Sequence, residues 1–527
     1  GRSAPSARLT RRGAMSILAQ LHNVIDTLRD ASHLDEDDVT VGLLLCKELV
    51  CLLHSHAPPA PLELCDLPHE LLTRIAVHLP SVEAIARLSC TSRVFHGQKP
   101  APPPRSVVEE SLRERAARRG ATVPLASELA PGESVVQALY WGERRDRLAQ
   151  QPKLAPGLNH HAFIDAGGRL LTCGQDADRH CFLGHGEEVW AVPLPTPVPG
   201  LESVRFRSVS LGDYHSLAVG ESGCVFSWGC GEQLGHGDPE ALRPTPRAVE
   251  SLRGVRVGAI SAGGRHSLAV DEEGVVFSFG HGVSGRLGHN SEEPVALPRP
   301  VEGLSGVRVR AVSAGGAHSL ALSDTGVAYS FGDGACGQLG QGERTSLLAP
   351  RAIEGLKRMR VLEVSAGGRH SLALSDEGVV FSFGRGVGGR LGHGEEEHQL
   401  APRKVAALHG MRARSVCAGG AHSLALCDEP PGLAPSVGGT VVFSFGIGSD
   451  GRLGHGDEEN QLFPRPIEVL RGKRVHTITA GGVTSLAETA SGHIYGWGDS
   501  SREVSLGIGR FEELEEGSLL VPRQLAG

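Results

Sequence analysis

The chain has 527 residues, too many for one ordinary hydrophobic core. With 52 basic against 60 acidic residues its net charge is −8, which argues against nucleic-acid binding driven by charge alone. Seventy-one glycines beside only 4% aromatics suit a turn-rich β protein, and eleven scattered cysteines with no C-x-x-C pair read as reduced intracellular thiols and exclude a zinc ribbon.

In chain order, residues 1–60 read as an N-terminal helical segment, with Met15 as a candidate start. Ile17, Leu18, Leu21, Val24, Ile25 and Leu28 recur at helical spacing, as do Leu43, Leu44, Leu49, Leu52 and Leu53. The run from Val41 to Leu53 is broken by Lys47 and Glu48 and is too short to span a bilayer, so no membrane segment is expected. No signal segment opens the chain, and a cytoplasmic or nuclear location is expected. After the break at 56–61, residues 64–97 form a second unit in which Leu67, Pro68, Leu71, Leu72, Ile75, Leu79, Ile85 and Leu88 are the apolar stripe. Asp66 is placed to cap a helix that starts at Leu67-Pro68, where proline fits the first turn. Residues 98–153 combine a proline-rich linker with two helices, 106–120 and 133–150, whose charged faces read as solvated surface.

From residue 154 onward one phrase repeats. "AGGRHSLALSDEGVVFSFG" (366–384) recurs with its histidine at His215, His266, His318, His370 and His422. Weaker copies place His161 and Thr484 in the same role, and one Pro/Gly insertion at 429–439 lengthens the last step. A second phrase, LGHG or a variant, follows each copy, and Pro-Arg comes about ten residues later. Each unit reads as four short strands with Asp-Thr-Gly or Asp-Glu-Gly hairpins, and seven such units predict a mainly-β, seven-bladed propeller behind a small all-α N-terminal region. Ser319, Ala321, Ser371 and Ala373 are the small residues expected on the innermost strands.

Within the repeats G-x-G-x-x-G occurs four times, opening at Gly280, Gly332, Gly384 and Gly446. A dinucleotide site needs a helix N-terminus at that point, but Arg-Leu-Gly-His or Gln-Leu-Gly-Gln and an often acidic loop follow. These glycines, with His215, His266, His318, His370 and His422, are therefore read as structural. The repeat histidines belong to different blades, which separates them around a ring and excludes one shared metal sphere. No G-x-S-x-G, Walker loop or catalytic cysteine context is present. We expect no catalytic residue, no cofactor and no metal. The acidic clusters after LGHG, such as Glu395-Glu396-Glu397, read as solvated loops that together could form an acidic rim.

The A-G-G-x-H-S-L-A, F-S-F-G and L-G-H-G phrases over 154–527 resemble the regulator of chromosome condensation repeat family, which implies a seven-bladed propeller often closed by strands from its two ends. On that likeness Pro522 to Leu525 should dock on the blade that contains Leu170 to Gly174. Segment 64–97 resembles an F-box, with its basic-aromatic end only partly present as Arg93-Val94-Phe95. The F-box likeness implies that the apolar stripe docks a Skp-type adaptor of a cullin-RING ubiquitin ligase while the propeller presents a protein substrate. The alternative is guanine-nucleotide exchange on a Ran-like GTPase, as some propellers of the family perform, or a plain interaction scaffold. Light sensing, also known in the family, needs clustered tryptophans, and only Trp141, Trp190, Trp228 and Trp497 occur.

Overall fold

The computed structural model describes residues 153–176, 179–240, 242–429, 439–498 and 519–525. The F-box-like segment 64–97 and the helices expected at 1–60 and 98–152 lie outside these residues, as does most of the insertion at 429–439. The described residues form 28 strands in seven four-stranded antiparallel sheets, each made of four consecutive strands. Blade 5 is representative: Val361–Ala366, His370–Ser375, Val380–Gly384 and Gln399–Lys404, numbered below as first to fourth strand. Its hairpin turns at Gly378, where φ is +80° and the N–H donates to Ser375 O (3.0 Å), so the Asp-Glu-Gly triplet supplies the left-handed residue the turn needs.

First strands of neighbouring blades pack against one another around the axis. This corrects the expectation that Ser319, Ala321, Ser371 and Ala373 line the centre, since they lie on second strands. Those second strands are the joints between blades. In blade 4, Leu320 and Leu322 pack with Val361, Val364, Phe381 and Phe383 of blade 5, while Ala321 packs with Leu268, Val270 and Val276 of blade 3. The Leu-Ala alternation thus puts bulk on one side and close approach on the other, because successive strand residues face opposite ways. Each fully buried leucine there contributes about 1.5–3 kcal/mol.

The innermost strands carry their own polar stitching. Backbone N–H groups of Ala262, Ala314, Ala366 and Ala418 donate to Ser210, Ser261, Ser313 and Ser365 Oγ of the preceding blade at 2.9–3.0 Å, and Ala480 N–H reaches Cys417 Sγ at 3.2 Å. Pro156 holds the corresponding place in blade 1, since it pairs with His161 as Ala418 pairs with Ser423. Proline has no N–H to give, and Thr479 Oγ1 of blade 7 has no partner among the described residues.

Closure also differs from expectation. Leu519–Gln524 pairs with Ile494–Gly498 inside blade 7, with Gly496 opposite Arg523, and does not dock on blade 1. The edge of Leu170–Gln175 is already covered by Ala191–Pro197. The ring closes instead by packing Leu154, Phe163 and Cys173 against Val475, Leu486 and Trp497, with Gly482 N–H donating to Gly157 O at 3.2 Å.

Candidate functional site

The repeat histidines open the second strands, fully buried. Nε2 of His215, His266, His318, His370 and His422 lies 2.7–2.9 Å from Oγ of Ser267, Ser319, Ser371, Ser423 and Ser485, each in the next blade. Each serine hydroxyl in turn donates to a carbonyl, of Gln233, Arg286, Gln338, Arg390 and Arg452, at 2.7–3.0 Å. The hydroxyl hydrogen is therefore committed, and its oxygen accepts the Nε2–H of a neutral imidazole. Nδ1 is left bare, without a partner among the described residues. It abuts the first glycine of A-G-G: a Cβ on Gly315 would lie 2.8 Å from His318 Nδ1 and 2.5 Å from Gly367 O. Burial pushes these imidazoles far down, to about 3 in His215 and His422 and about 4 in His318.

Blade 1 departs by one residue from the sequence reading. His160, not His161, pairs with Gly174 as His215 pairs with Gly229, and His160 Nε2 is 3.1 Å from Ser216 Oγ. His161 takes the place that serine has elsewhere, and both its ring nitrogens lack a partner among the described residues. Thr484 starts the second strand of blade 7 and its Oγ1 is likewise unpartnered. The LGHG histidines work within blades: Nε2 of His236, His289, His393 and His455 meets Ser227, Ser278, Ser382 and Ser444 Oγ at 2.8–3.0 Å. Gln341 makes the same contact to Ser330 at 3.1 Å. Among the described residues no group of three or more His, Cys, Asp or Glu could hold a metal ion.

The G-x-G-x-x-G glycines have three separate tasks. A Cβ on Gly384 (φ +107°) would lie 2.8 Å from Arg369 O and His370 Cα, inside the sheet. On Gly386 it would lie 1.8 Å from Glu397 O, where the acidic loop folds back. On Gly389 it would lie 2.6 Å from Leu462 Cα of blade 6. Gly280, Gly332 and Gly446 repeat the first task at φ +110°, +106° and +122°. A three-residue 3-10 turn, Val387–Gly389, follows in place of a helix. There is no phosphate cradle here.

One face of the ring gathers the unusual charge. Because His370 pairs with Gly384, the loop 367–369 and the segment 385–398 leave the sheet at the same end. Arg385 N–H donates to Arg369 O at 2.9 Å, and the same bond joins His281 to Arg265 and Asp333 to Ala317. Near the axis this face therefore presents Arg265 and Arg286 from blade 3, Arg369, Arg385 and Arg390 from blade 5, and Arg452 from blade 6. Most have company. Arg265 lies 5.1 Å over the Tyr214 ring, Arg286 is held beside Asp333, and Arg452 pairs with Asp450. The blade 5 trio differs: among the described residues no carboxylate comes within ion-pair distance of Arg369, Arg385 or Arg390. Arg390 is only 4% exposed, and its Nε donates to Val387 O at 2.9 Å. Burial first, then Arg385, Arg452 and Arg369, push its guanidinium down to about 10, with Cys336 opposing.

Outside this centre lies the acidic rim. Glu292, Glu293, Glu396, Glu397 and Glu459 are exposed. The Pro-Arg phrase now has a use: Arg351 pairs with Glu343 (3.0 Å), Arg465 with Asp457 (3.2 Å), and Arg403 with Glu395, each acid eight residues earlier. Sequence reading missed both the pairing and the arginine trio; the spacing of eight was the available signal for the former. Trp228 and Trp497 are buried in different blades, where Nε1 donates to Phe182 O (2.8 Å) and Arg452 O (3.0 Å), and Trp190 is exposed, so these three form no cluster.

The RCC1-like domain profile matches residues 131–430 and the regulator of chromosome condensation (RCC1) repeat profile matches residues 441–487. Mus musculus E3 ubiquitin-protein ligase HERC2 is 33% identical over 406 residues, 75% of this chain but 8% of that protein. Arabidopsis thaliana ultraviolet-B receptor UVR8 is 34% identical over 293 residues, 55% of this chain and 64% of that one. Among solved structures, Prp20p from Saccharomyces cerevisiae, reported with its binding properties to Gsp1p and histones, superimposes with TM-score 0.59 at 22% identity over 73% of this chain and 89% of its own. Human WBSCR16 gives 0.54 at 24% identity over 62% and 84%. At those identities the two structures speak for the fold alone.

Proposed function

This chain belongs to the RCC1-like domain family, and on that premise we propose that it is a non-catalytic recognition subunit of an F-box cullin-RING ubiquitin ligase. Residues 64–97 dock the Skp-type adaptor through Leu67, Pro68, Leu71, Leu72, Ile75, Leu79, Ile85 and Leu88, and the propeller holds a protein substrate. Other subunits perform the chemistry, and this chain contributes proximity. The observation that carries the reading is the division of polar groups on the propeller. The buried histidines and serines bond one another across blades, while one face keeps unpaired arginines inside an acidic rim. That is the make-up of a docking surface, not of a reaction centre. The ligase context is supported by the F-box-like stripe in the sequence and by the likeness to HERC2, a ubiquitin ligase of which this chain matches a small part. The setting is cytoplasmic or nuclear.

A second reading, exchange on a Ran-like GTPase, draws on the likeness to Prp20p. One pull-down separates them. Wild type is expected to capture the Skp-type adaptor and Leu71→Arg to lose it, since a charge in the apolar stripe costs several kcal/mol of docking. No capture by wild type overturns the ligase reading. Preferential capture of a nucleotide-free Ran-type GTPase establishes the second.

A further inference from the structure

We propose that Arg369, Arg385 and Arg390 of blade 5 form the receptor for an acidic peptide segment of the protein partner. The proposal rests on the propeller being the partner-binding part, and is independent of the F-box assignment. Its basis is a comparison between blades. Where blade 5 has Arg369, Arg385 and Arg390, blade 4 has Ala317, Asp333 and Gln338, and blade 6 has Ala421, Ile447 and Arg452. In blade 4, Gln338 Nε2 donates to Asp333 Oδ2 at 2.9 Å, so that blade satisfies itself. In blade 6 the single arginine has Asp450. Blade 5 alone of these three concentrates three guanidinium groups at one end of the sheet, and among the described residues none of its carboxylates, Glu395 to Glu397 included, comes within ion-pair distance of them.

Arg390 is held in place. Its Nε–H donates to Val387 O, and its own carbonyl accepts from Ser423 Oγ of blade 6 at 2.8 Å. The bond to Val387 O satisfies Nε–H, but among the described residues no carboxylate within ion-pair distance balances the charge of this buried guanidinium. Arg369 is exposed and Arg385 half-buried, so the cluster opens to solvent on the ring face. Carboxylates match it, because guanidinium forks accept planar, two-oxygen anions with two parallel bonds each. Arg344 continues the positive field outward: after burial it acts with Arg385 and Arg390 to push the His398 pKa down.

The acidic rim decides which polyanion fits. A nucleic-acid strand laid across the face would carry its phosphates past Glu292, Glu293, Glu396, Glu397 and Glu459 and be repelled. A short acidic stretch at a chain end or loop tip enters the centre without crossing the rim. The occupant is therefore a run of aspartate or glutamate in a protein.

The test uses the full chain and fluorescence anisotropy. The probes are a short labelled peptide with consecutive aspartates, its asparagine counterpart, and a single-stranded oligonucleotide of equal charge. The aspartate peptide is expected to bind, more weakly as salt rises, and the asparagine peptide not to bind. Arg369→Gln/Arg385→Gln, both on the accessible side of the cluster, should weaken binding by about tenfold or more. Arg308→Gln/Arg358→Gln, on the opposite face, should leave it unchanged, and thermal melts confirm that both variants fold. Absence of aspartate-peptide binding, equal binding of the asparagine peptide, or an unaffected blade 5 variant overturns the proposal. Tighter binding of the oligonucleotide overturns the choice of partner. No adaptor takes part, so failure here and failure of the ligase reading are read separately.

Discussion

Acidification should open this propeller well before ordinary acid denaturation, and the histidine rungs set the scale. Each rung holds a neutral imidazole whose Nε2–H is donated to a serine and whose Nδ1 faces a glycine with no hydrogen-bond partner among the described residues. A second proton would have to enter at Nδ1, buried and unpaired. The unfolded chain accepts that proton near pH 6.5, whereas the folded pKa is about 3 in His215 and His422 and about 4 in His318. A depressed folded pKa gives stability that is complete above the unfolded value and lost as pH falls from there toward the folded one. By pH 5 the loss is about 2 kcal/mol per histidine. His215, His318 and His422 together make it about 6 kcal/mol, within the range of a typical domain's whole stability, and burial pushes His160, His266 and His370 down in the same direction. Carboxyls work the other way, since burial also raises Asp213 and Asp376, and Glu363 is the largest case. Burial raises Glu363 to about 7, so acidification returns up to about 3 kcal/mol. The net remains strongly destabilising. Urea unfolding followed by the fluorescence of buried Trp228 and Trp497 at a series of pH values reads it directly. The midpoint should fall steeply between pH 6.5 and 5. An unchanged midpoint across that interval would refute the neutral, proton-excluding imidazoles.

Two further outcomes follow from single contacts. His370→Ala should cost about 3–4 kcal/mol through its cavity and lost bond, and a cycle with Ser423→Ala should return a coupling near 1 kcal/mol in urea unfolding; additive effects would mean that the 2.9 Å contact carries no energy. Glu363 accepts from Ser415 Oγ at 3.0 Å and Val416 N–H at 3.1 Å on separate oxygens, so Glu363→Gln, with Oε1 accepting from Val416 N–H and Nε2 donating to Ser415 Oγ, should raise stability at pH 8 by up to about 3 kcal/mol, with the gain vanishing at pH 4; a gain that persists at pH 4 would show that the carboxylate is not the cause.

Much of the fold was legible because its punctuation is local. A glycine at each hairpin, the Leu-Ala alternation and the recurring histidine are all written within one repeat, so seven copies announce seven sheets. What was hidden depends on pairing between distant residues. His160-His161 offers two candidates for one rung, and only the pairing of His160 with Gly174 chooses between them. First and second strands both read as small and apolar, and only packing between blades tells which lies at the axis. The docking of Leu519–Gln524 turned on which sheet edge was already covered. Arg369, Arg385 and Arg390 look like three scattered surface charges until the sheet register brings the first two together and the Val387–Gly389 turn of the same blade sets the third beside them. The F-box-like stripe at 64–97 lies outside the described residues and rests on its sequence alone.

The rungs from imidazole to serine all run the same way round, from each blade to its successor. The molecule consequently has a handed order, like tiles with a tongue on one edge and a groove on the other. Blades 2 to 6 carry both and at these positions are interchangeable parts. Blade 7 offers Thr484 where a tongue should be, and blade 1 offers His161 and Pro156 where a groove should be. Those two are end pieces, so the joint from the last blade to the first is the one that neither polar rung spans.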